Sequence, residues 1–304
     1  MSDIILRTSD LGKHYKNRWA ARNINLEVHR GDVFGFLGPN GAGKSTSIRM
    51  ILSLIKPTEG RVELFGHDLF TQREKALQNV AGIVEKPDFY LYLSAYRNMQ
   101  IAGSLTLGKT PANKKIMDTL EVVGLAERAL DKVKTFSHGM KQRLGIAQAL
   151  LCDPKLIMLD EPTNGLDPQG MKEVRELIQR LTKERGITVF LSSHLLNEVE
   201  QVATRMAIIN KGTMIVQGPV EDLLKVNANK LLLNVTPVKK ALGILAKMKT
   251  VSELHSDETG IMAQIDPKHV PAAVSALAAA KCKIYSIEPK HSLEDYFLEK
   301  TTDN

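Results

Sequence analysis

Cysteine is scarce in this chain. Cys152 and Cys282 are the only two in 304 residues, 130 positions apart and without a Cys-x-x-Cys spacing. That excludes a disulfide framework and a cysteine zinc site. Long apolar runs are missing as well. The longest uncharged, mostly apolar stretch is Val270 to Ala280, eleven residues, whereas a membrane-spanning helix needs about 20. The start, Met1-Ser2-Asp3-Ile4-Ile5-Leu6-Arg7, carries an acid and no long apolar region, so it does not read as a secretion signal. There is no fixed-period repeat and no low-complexity tract. Basic residues cluster only in pairs such as Lys114-Lys115 and Lys239-Lys240. The net charge of +7 therefore reads as a generally basic surface, and no direct nucleic-acid partner is expected. What is present, 43% apolar and 25% charged residues, is the composition of an ordinary globular protein. A soluble, cytoplasmic chain of one or two domains is expected.

Strand and helix signals alternate along the first two thirds. Ile24, Leu26 and Val28 alternate with polar residues, Arg30-Gly31-Asp32 supplies a turn, and Val33 to Leu37 is a short apolar run. After a glycine-rich loop, Ile48, Ile51, Leu52 and Ile55 follow helical spacing up to Pro57. Leu156 to Leu159 and Ile187 to Leu191 are further strands, and between them Met171, Val174, Ile178 and Leu181 mark a helix face that ends at Gly186. This alternation predicts a parallel sheet in an α/β domain. Residues 93 to 151 interrupt it with a helical insertion broken at Gly108, Pro111 and Gly124.

The character changes after Val226. Strands are expected at Leu231 to Val235 and Lys283 to Ile287, with a hairpin between Leu254 and Ile261 across Asp257 to Gly260. Helices are expected at Lys239 to Met248 and Ala272 to Ala280. That β-α-β-β-α-β order suits a small, ferredoxin-like α+β domain over 227–304. Ser292-Leu293-Glu294-Asp295 resembles a capping box that opens a last short helix.

The chemistry is concentrated in a few segments. Gly38-Pro39-Asn40-Gly41-Ala42-Gly43-Lys44-Ser45 matches G-x-x-x-x-G-K-[ST] between a strand and a helix, with Thr46 next in line. Glycines let backbone N–H groups close around phosphate oxygens, and the helix N-terminus adds a partial positive charge of about +0.5. Lys44 would reach the β- and γ-phosphates and Ser45 would ligate Mg²⁺. The loop predicts nucleoside triphosphate binding. The strand 156–159 then delivers Asp160 to the metal, and Glu161 just beyond it can act as base toward water. By itself an apolar strand ending in Asp-Glu is commonplace; with the phosphate loop the catalytic reading prevails.

With these residues in place the chain resembles the ABC-type ATPases, the nucleotide-binding subunits of ABC transporters, over residues 1–226. The resemblance implies a P-loop NTPase fold of ABC type with an antiparallel β subdomain and the helical insertion, using ATP and Mg²⁺. It implies that Tyr15 stacks on adenine and that His194 contacts the γ-phosphate and helps hold Glu161. It further implies that Ser137-His138-Gly139-Met140-Lys141-Gln142-Arg143 is the signature, and that Asn164-Gly165-Leu166-Asp167 is the loop between subunits. In the family two subunits meet head to tail, each ATP lying between one phosphate loop and the partner's Ser137 and Gly139. One copy of each motif per chain implies a homodimer closed by ATP, membrane association only through separate transmembrane permease subunits, and a place on the inner face of the cell membrane.

The sequence departs from the family pattern in two places. His138 and Met140 stand where the signature usually has glycine and glutamine, and Glu85 stands where a glutamine usually contacts Mg²⁺. Glutamate still offers a hard oxygen to the metal. The glutamate, Phe89-Tyr90 and the Ser-x-Gly-Met-Lys-Gln signature resemble the bacitracin- and lantibiotic-resistance branch of bacterial exporters. The segment Pro289 to Leu298 also resembles the tail found in such subunits. In the family the aromatic-rich stretch Pro87 to Met99 receives a short helix of the membrane subunit. The alternative is a soluble dimeric ABC ATPase acting as a nucleic-acid- or ribosome-associated switch. A chromosome-type member would need a long coiled coil within the 116 positions from Lys44 to Asp160, and a ribosome-type member usually has two cassettes; this chain has neither.

Overall fold

The computed structural model describes residues 3–225, 229–257 and 260–289. Its centre is a six-stranded sheet, in the order Thr213–Pro219, Arg205–Asn210, Val33–Leu37, Thr188–Ser193, Leu156–Leu159, Val80–Ile83. The last five strands pair in parallel. Every residue of Val33–Leu37, Leu156–Leu159 and Thr188–Ser193 is buried. Their apolar runs are continuous because a parallel sheet is covered on both faces. Phe34 and Phe190 stack across adjacent strands with centroids 5.3 Å apart, which adds ring contact to the burial.

The parallel register matters for the site. Leu37 lies opposite Ser193 and Leu159 opposite Leu191. The three strands therefore end along one edge, and the segments that leave them start together: Gly38, Asp160 and His194. In an open α/β sheet that carboxyl edge is where ligands bind.

An antiparallel sheet flanks this core within the same unit. The long strand Ile4–Tyr15 pairs with Arg18–Ile24, Glu27–His29 and Glu59–Leu64, and the last of these pairs with His67–Asp68. Ile4–Tyr15 was not evident from periodicity: register shifts between Ser9 and Gly12 break its alternation, as a bulge does. The helix after the glycine-rich loop, Lys44–Ile51, stops short of the expected Ile55. Ser53 adopts φ +57°, and the amides of Leu54 and Ile55 both turn back to the carbonyl of Arg49. The chain thus leaves the helix before Pro57 can end it.

The insertion contains Ala95–Leu107, Asn113–Val122 and His138–Leu150 as α-helices, with short 3₁₀ turns at Ala126–Arg128 and Val133–Thr135. Ser94 caps the first by accepting from the amide of Arg97, and Gly108 ends it in a left-handed conformation.

The chain divides into two compact units, Met1–Gly218 and Pro219–Asn304. The break precedes the position expected at 226, so the helix Val220–Lys225 falls with the second unit. That unit has a four-stranded sheet in the order Val251–Ser256, Ile261–Ile265, Lys230–Thr236, Lys283–Pro289, antiparallel at every pairing. The helices Val238–Leu245 and Val270–Ala279 complete the β-α-β-β-α-β order. Leu231, Leu233 and Val235 alternate into its core with Ile261, Ala263 and Ile265, against Ala241, Leu245, Ala273 and Leu277. The expected capping box at 292–295 lies outside the described residues, as do the two residues at the tip of the hairpin, 258 and 259.

Candidate nucleotide site

The glycine-rich loop leaves the end of Val33–Leu37 and enters the helix Lys44–Ile51 through Gly43, at φ +106°. A Cβ there would lie 2.4 Å from the carbonyl oxygen of Ala20. Only glycine satisfies both the torsion and the close approach. No side chain caps this helix, and the first amides of a helix lack intrahelical partners, which makes such a start suited to an anion.

Lys44 is nearly buried. Its Nζ donates to the carbonyls of Gly38 at 2.6 Å and Pro39 at 3.2 Å, and lies 3.1 Å from Oε1 of Glu161. The other oxygen of Glu161, Oε2, is 2.7 Å from Nδ1 of His194. Three strand-end segments thus contribute one member each to a Lys44–Glu161–His194 chain. Glu161 itself has φ +50°, a left-handed conformation that turns its side chain off the strand direction and is uncommon outside glycine.

Asp160 is buried and accepts at Oδ1 from the hydroxyl of Ser192 at 2.6 Å. A cleft of about 310 Å³ opens over the loop, lined by Asn40, Gly41, Lys44, Ser45, Thr46 and Glu161 among others. It is the size of a small-molecule site. Trp19 also lines it, with Arg18 and Ala20. Trp19 lies next to the expected aromatic, packing edge-on to His14 at 4.9 Å. Nothing in the sequence pattern marked it, although it is the chain's single tryptophan.

The structure places Tyr15 at the end of its strand, half exposed, with the ammonium of Lys13 5.2 Å from its ring centroid. Glu85, at φ +72°, pairs with the guanidinium of Arg49 on the phosphate-loop helix; its carboxylate does not line the cleft. Ser137 caps the helix His138–Leu150 by accepting from the amide of Met140 at 3.2 Å. Asp167 caps Pro168–Arg185 in the same way, accepting from Gly170 at 2.9 Å. The two helix starts meet at Gly139, where a Cβ would sit 3.3 Å from Cα of Gly170. Arg143 ties the helices further through Glu173 at 3.1 Å. Ser137 and Asp167 are exposed and Gly139 is buried where the two helix starts meet; none of the three lines the cleft around Lys44.

The residues suit a magnesium nucleotide. Ser45 and Asp160 offer a hydroxyl and a carboxylate, the hard oxygen donors Mg²⁺ prefers, and Lys44 and the helix start offer cationic and N–H groups to phosphates. Among the described residues, no group of three or more His, Cys, Asp or Glu could hold a metal ion.

Comparison with known proteins gives the same answer. Residues 21–164 match the family model described as ABC transporter. The chain is 40% identical over 298 residues to the ABC transporter ATP-binding protein YhcH of Bacillus subtilis (strain 168), covering 98% of this chain and 96% of the relative. It is 41% identical over 304 residues to the bacitracin transport ATP-binding protein BcrA of Bacillus licheniformis, covering 97% and 96%. Among solved structures, cbiO1 of Clostridium perfringens, part of the ABC transporter complex cbiONQ, superposes with a TM-score of 0.65 at 29% identity, covering 74% of this chain and 95% of that one. With the phosphate loop, the strand-end carboxylates and relatives that match it nearly end to end, the chain belongs to the ABC transporter family, among its ATP-binding and ATP-hydrolysing subunits.

Proposed function

We propose that this chain powers export of a peptide antibiotic of the bacitracin or lantibiotic type through separate permease subunits, by closing and opening a head-to-tail homodimer on ATP. The Lys44–Glu161–His194 chain carries the catalytic part of the reading. Lys44 and the amides of residues 41 to 46 bind the triphosphate. Ser45 and Asp160 hold Mg²⁺, which when bound offsets charge on the phosphate oxygens. Glu161 takes the proton of the attacking water, an effect worth about 10²–10⁴ in rate, and His194 holds that carboxylate toward the cleft. Glu85 contributes when its pairing with Arg49 opens, and Tyr15 stacks on the base.

Dimer formation is supported by the separation of Ser137 and Gly139 from the cleft of their own chain. A second copy would bring its capped helix start to the γ-phosphate. The exporter branch and its cargo rest on the near full-length similarity to BcrA, a bacitracin transport protein. The same match to transport proteins favours this reading over a nucleic-acid- or ribosome-associated switch. The similarity to transport ATP-binding proteins supports placing the chain on the cytoplasmic face of the membrane, held there by its permease; no helix among the described residues is long and apolar enough to cross a membrane. The second unit, Pro219–Asn304, is an accessory domain in this reading.

The test is Glu161→Gln beside Lys44→Ala. The first should bind ATP and accumulate as a closed dimer by light scattering with little turnover; the second should lose nucleotide binding. Full steady-state ATPase activity in Glu161→Gln would remove Glu161 as the base.

A further inference from the structure

Ser192 is completely buried at the end of Thr188–Ser193, 32 residues from Asp160 in sequence and beside it in space. Its hydroxyl makes two bonds. It accepts from the backbone amide of Glu161 at 2.9 Å and lies 2.6 Å from Oδ1 of Asp160. An amide can only donate, so the hydroxyl has a single orientation open to it: its one hydrogen points to the Asp160 carboxylate. A separation of 2.6 Å is at the short end of the range for O–H···O bonds.

We propose that Ser192 is a positioning residue that locks the metal-binding carboxylate and the catalytic glutamate into one rigid unit. The inference rests on the roles assigned above to Asp160 and Glu161. Through the amide bond, Ser192 fixes the peptide plane that sends Glu161 into its left-handed conformation at φ +50°, and so directs the side chain toward Lys44 and His194. Through the carboxylate bond, it holds Asp160 at one rotamer. The two bonds are in series, donor to hydroxyl to carboxylate, an arrangement in which each strengthens the other.

The pair Asp160–Glu161 comes from one strand and Ser192 from its neighbour, paired in parallel through Leu159 and Leu191. The lock therefore joins two adjacent strands of the sheet, a contact separate from the one between His194 and Glu161.

Ser192→Ala is the test, with Ser192→Thr as the variant that restores the hydroxyl. In Ser192→Ala, kcat for ATP should fall about tenfold or more while KM stays within about twofold, because the loss is felt in the transition state. Independently of turnover, the extra ADP affinity that Mg²⁺ confers, measured calorimetrically with and without the metal, should shrink, while metal-free ADP affinity stays unchanged. Ser192→Thr should recover most of each effect. Wild-type kcat and an unchanged Mg²⁺ contribution in Ser192→Ala would overturn the proposal. So would equal impairment of the alanine and threonine variants with the Mg²⁺ contribution intact, the signature of lost packing. Failure of the base assignment would show instead as turnover in Glu161→Gln, whatever Ser192→Ala does.

Discussion

The Nδ1 of His194 lies 2.7 Å from Oε2 of Glu161, although the two residues are 33 positions apart. The opposite oxygen of the same carboxylate faces Lys44 at 3.1 Å. Glu161 is thus held at both oxygens, and a carboxylate so held has few orientations left.

His194→Ala should lower ATPase turnover by about 10²-fold or more, the scale of a misplaced general base. ADP affinity should stay within about twofold, because His194 does not line the cleft over the phosphate loop. A coupled ATPase assay beside calorimetric ADP titration checks both. A parallel collapse of binding would mean that the histidine supports the loop itself.

Gly43→Ala should damage the nucleotide cradle without touching a charged group. The new methyl meets the Ala20 carbonyl, and φ +106° strains any L residue, at a cost of about 1–3 kcal/mol. ADP affinity is expected to drop at least tenfold, with a lower thermal midpoint, followed by calorimetry and thermal denaturation.

Tyr92→Asp should leave nucleotide binding intact and weaken capture of the permease. Tyr92 is 76% exposed and Tyr90 62%, the latter held in place by buried Asn98, which bonds both its amide and its carbonyl. Such amphipathic rings on a fixed loop suit a partner interface. Copurification from detergent-solubilised membranes is the measurement, and undiminished recovery would count against the interface.

Asp68→Ala should cost stability at neutral pH and progressively less in acid. The backbone amide of Thr71, with its hydroxyl and the Phe70 amide, holds the Asp68 carboxyl below its ordinary value. A folded-state pKa below the unfolded one contributes stability that is complete above the unfolded pKa and lost as pH falls through the folded one. The gap between wild type and variant in urea unfolding should be widest near pH 7 and close below about pH 4. A constant gap would assign the effect to packing.

Much of this protein was legible from local sequence because its chemistry is carried by short contiguous motifs. The phosphate loop needs glycines and a helix start within eight positions, and Asp160-Glu161 needs a buried strand directly before it. The helix Pro168–Arg185 was equally clear, from a long apolar face closed by Gly186 at φ +64°. Periodicity failed where strands are irregular or short, as in Ile4–Tyr15 with its shifted register and Val80–Ile83 with four residues. The helix after the phosphate loop was drawn too long because Ile55 keeps helical spacing after the backbone has already turned at Ser53.

What the sequence determined by itself is the set of parts: a loop for phosphates, carboxylates at a strand end, a capped signature helix and a separate β-α-β-β-α-β unit. Each is specified by torsional and burial preferences acting over a few residues. Only the tertiary structure decided how those parts combine. It brought Ser192 onto Asp160 and Glu161, paired Glu85 with Arg49, put Trp19 on the cleft, and kept Ser137 and Gly139 away from their own chain's phosphate loop. The Ser192 contact depends on the order and register of the parallel strands, and the place of Trp19 on an antiparallel pairing. Pairing of that kind joins residues dozens of positions apart and leaves no local trace in the chain.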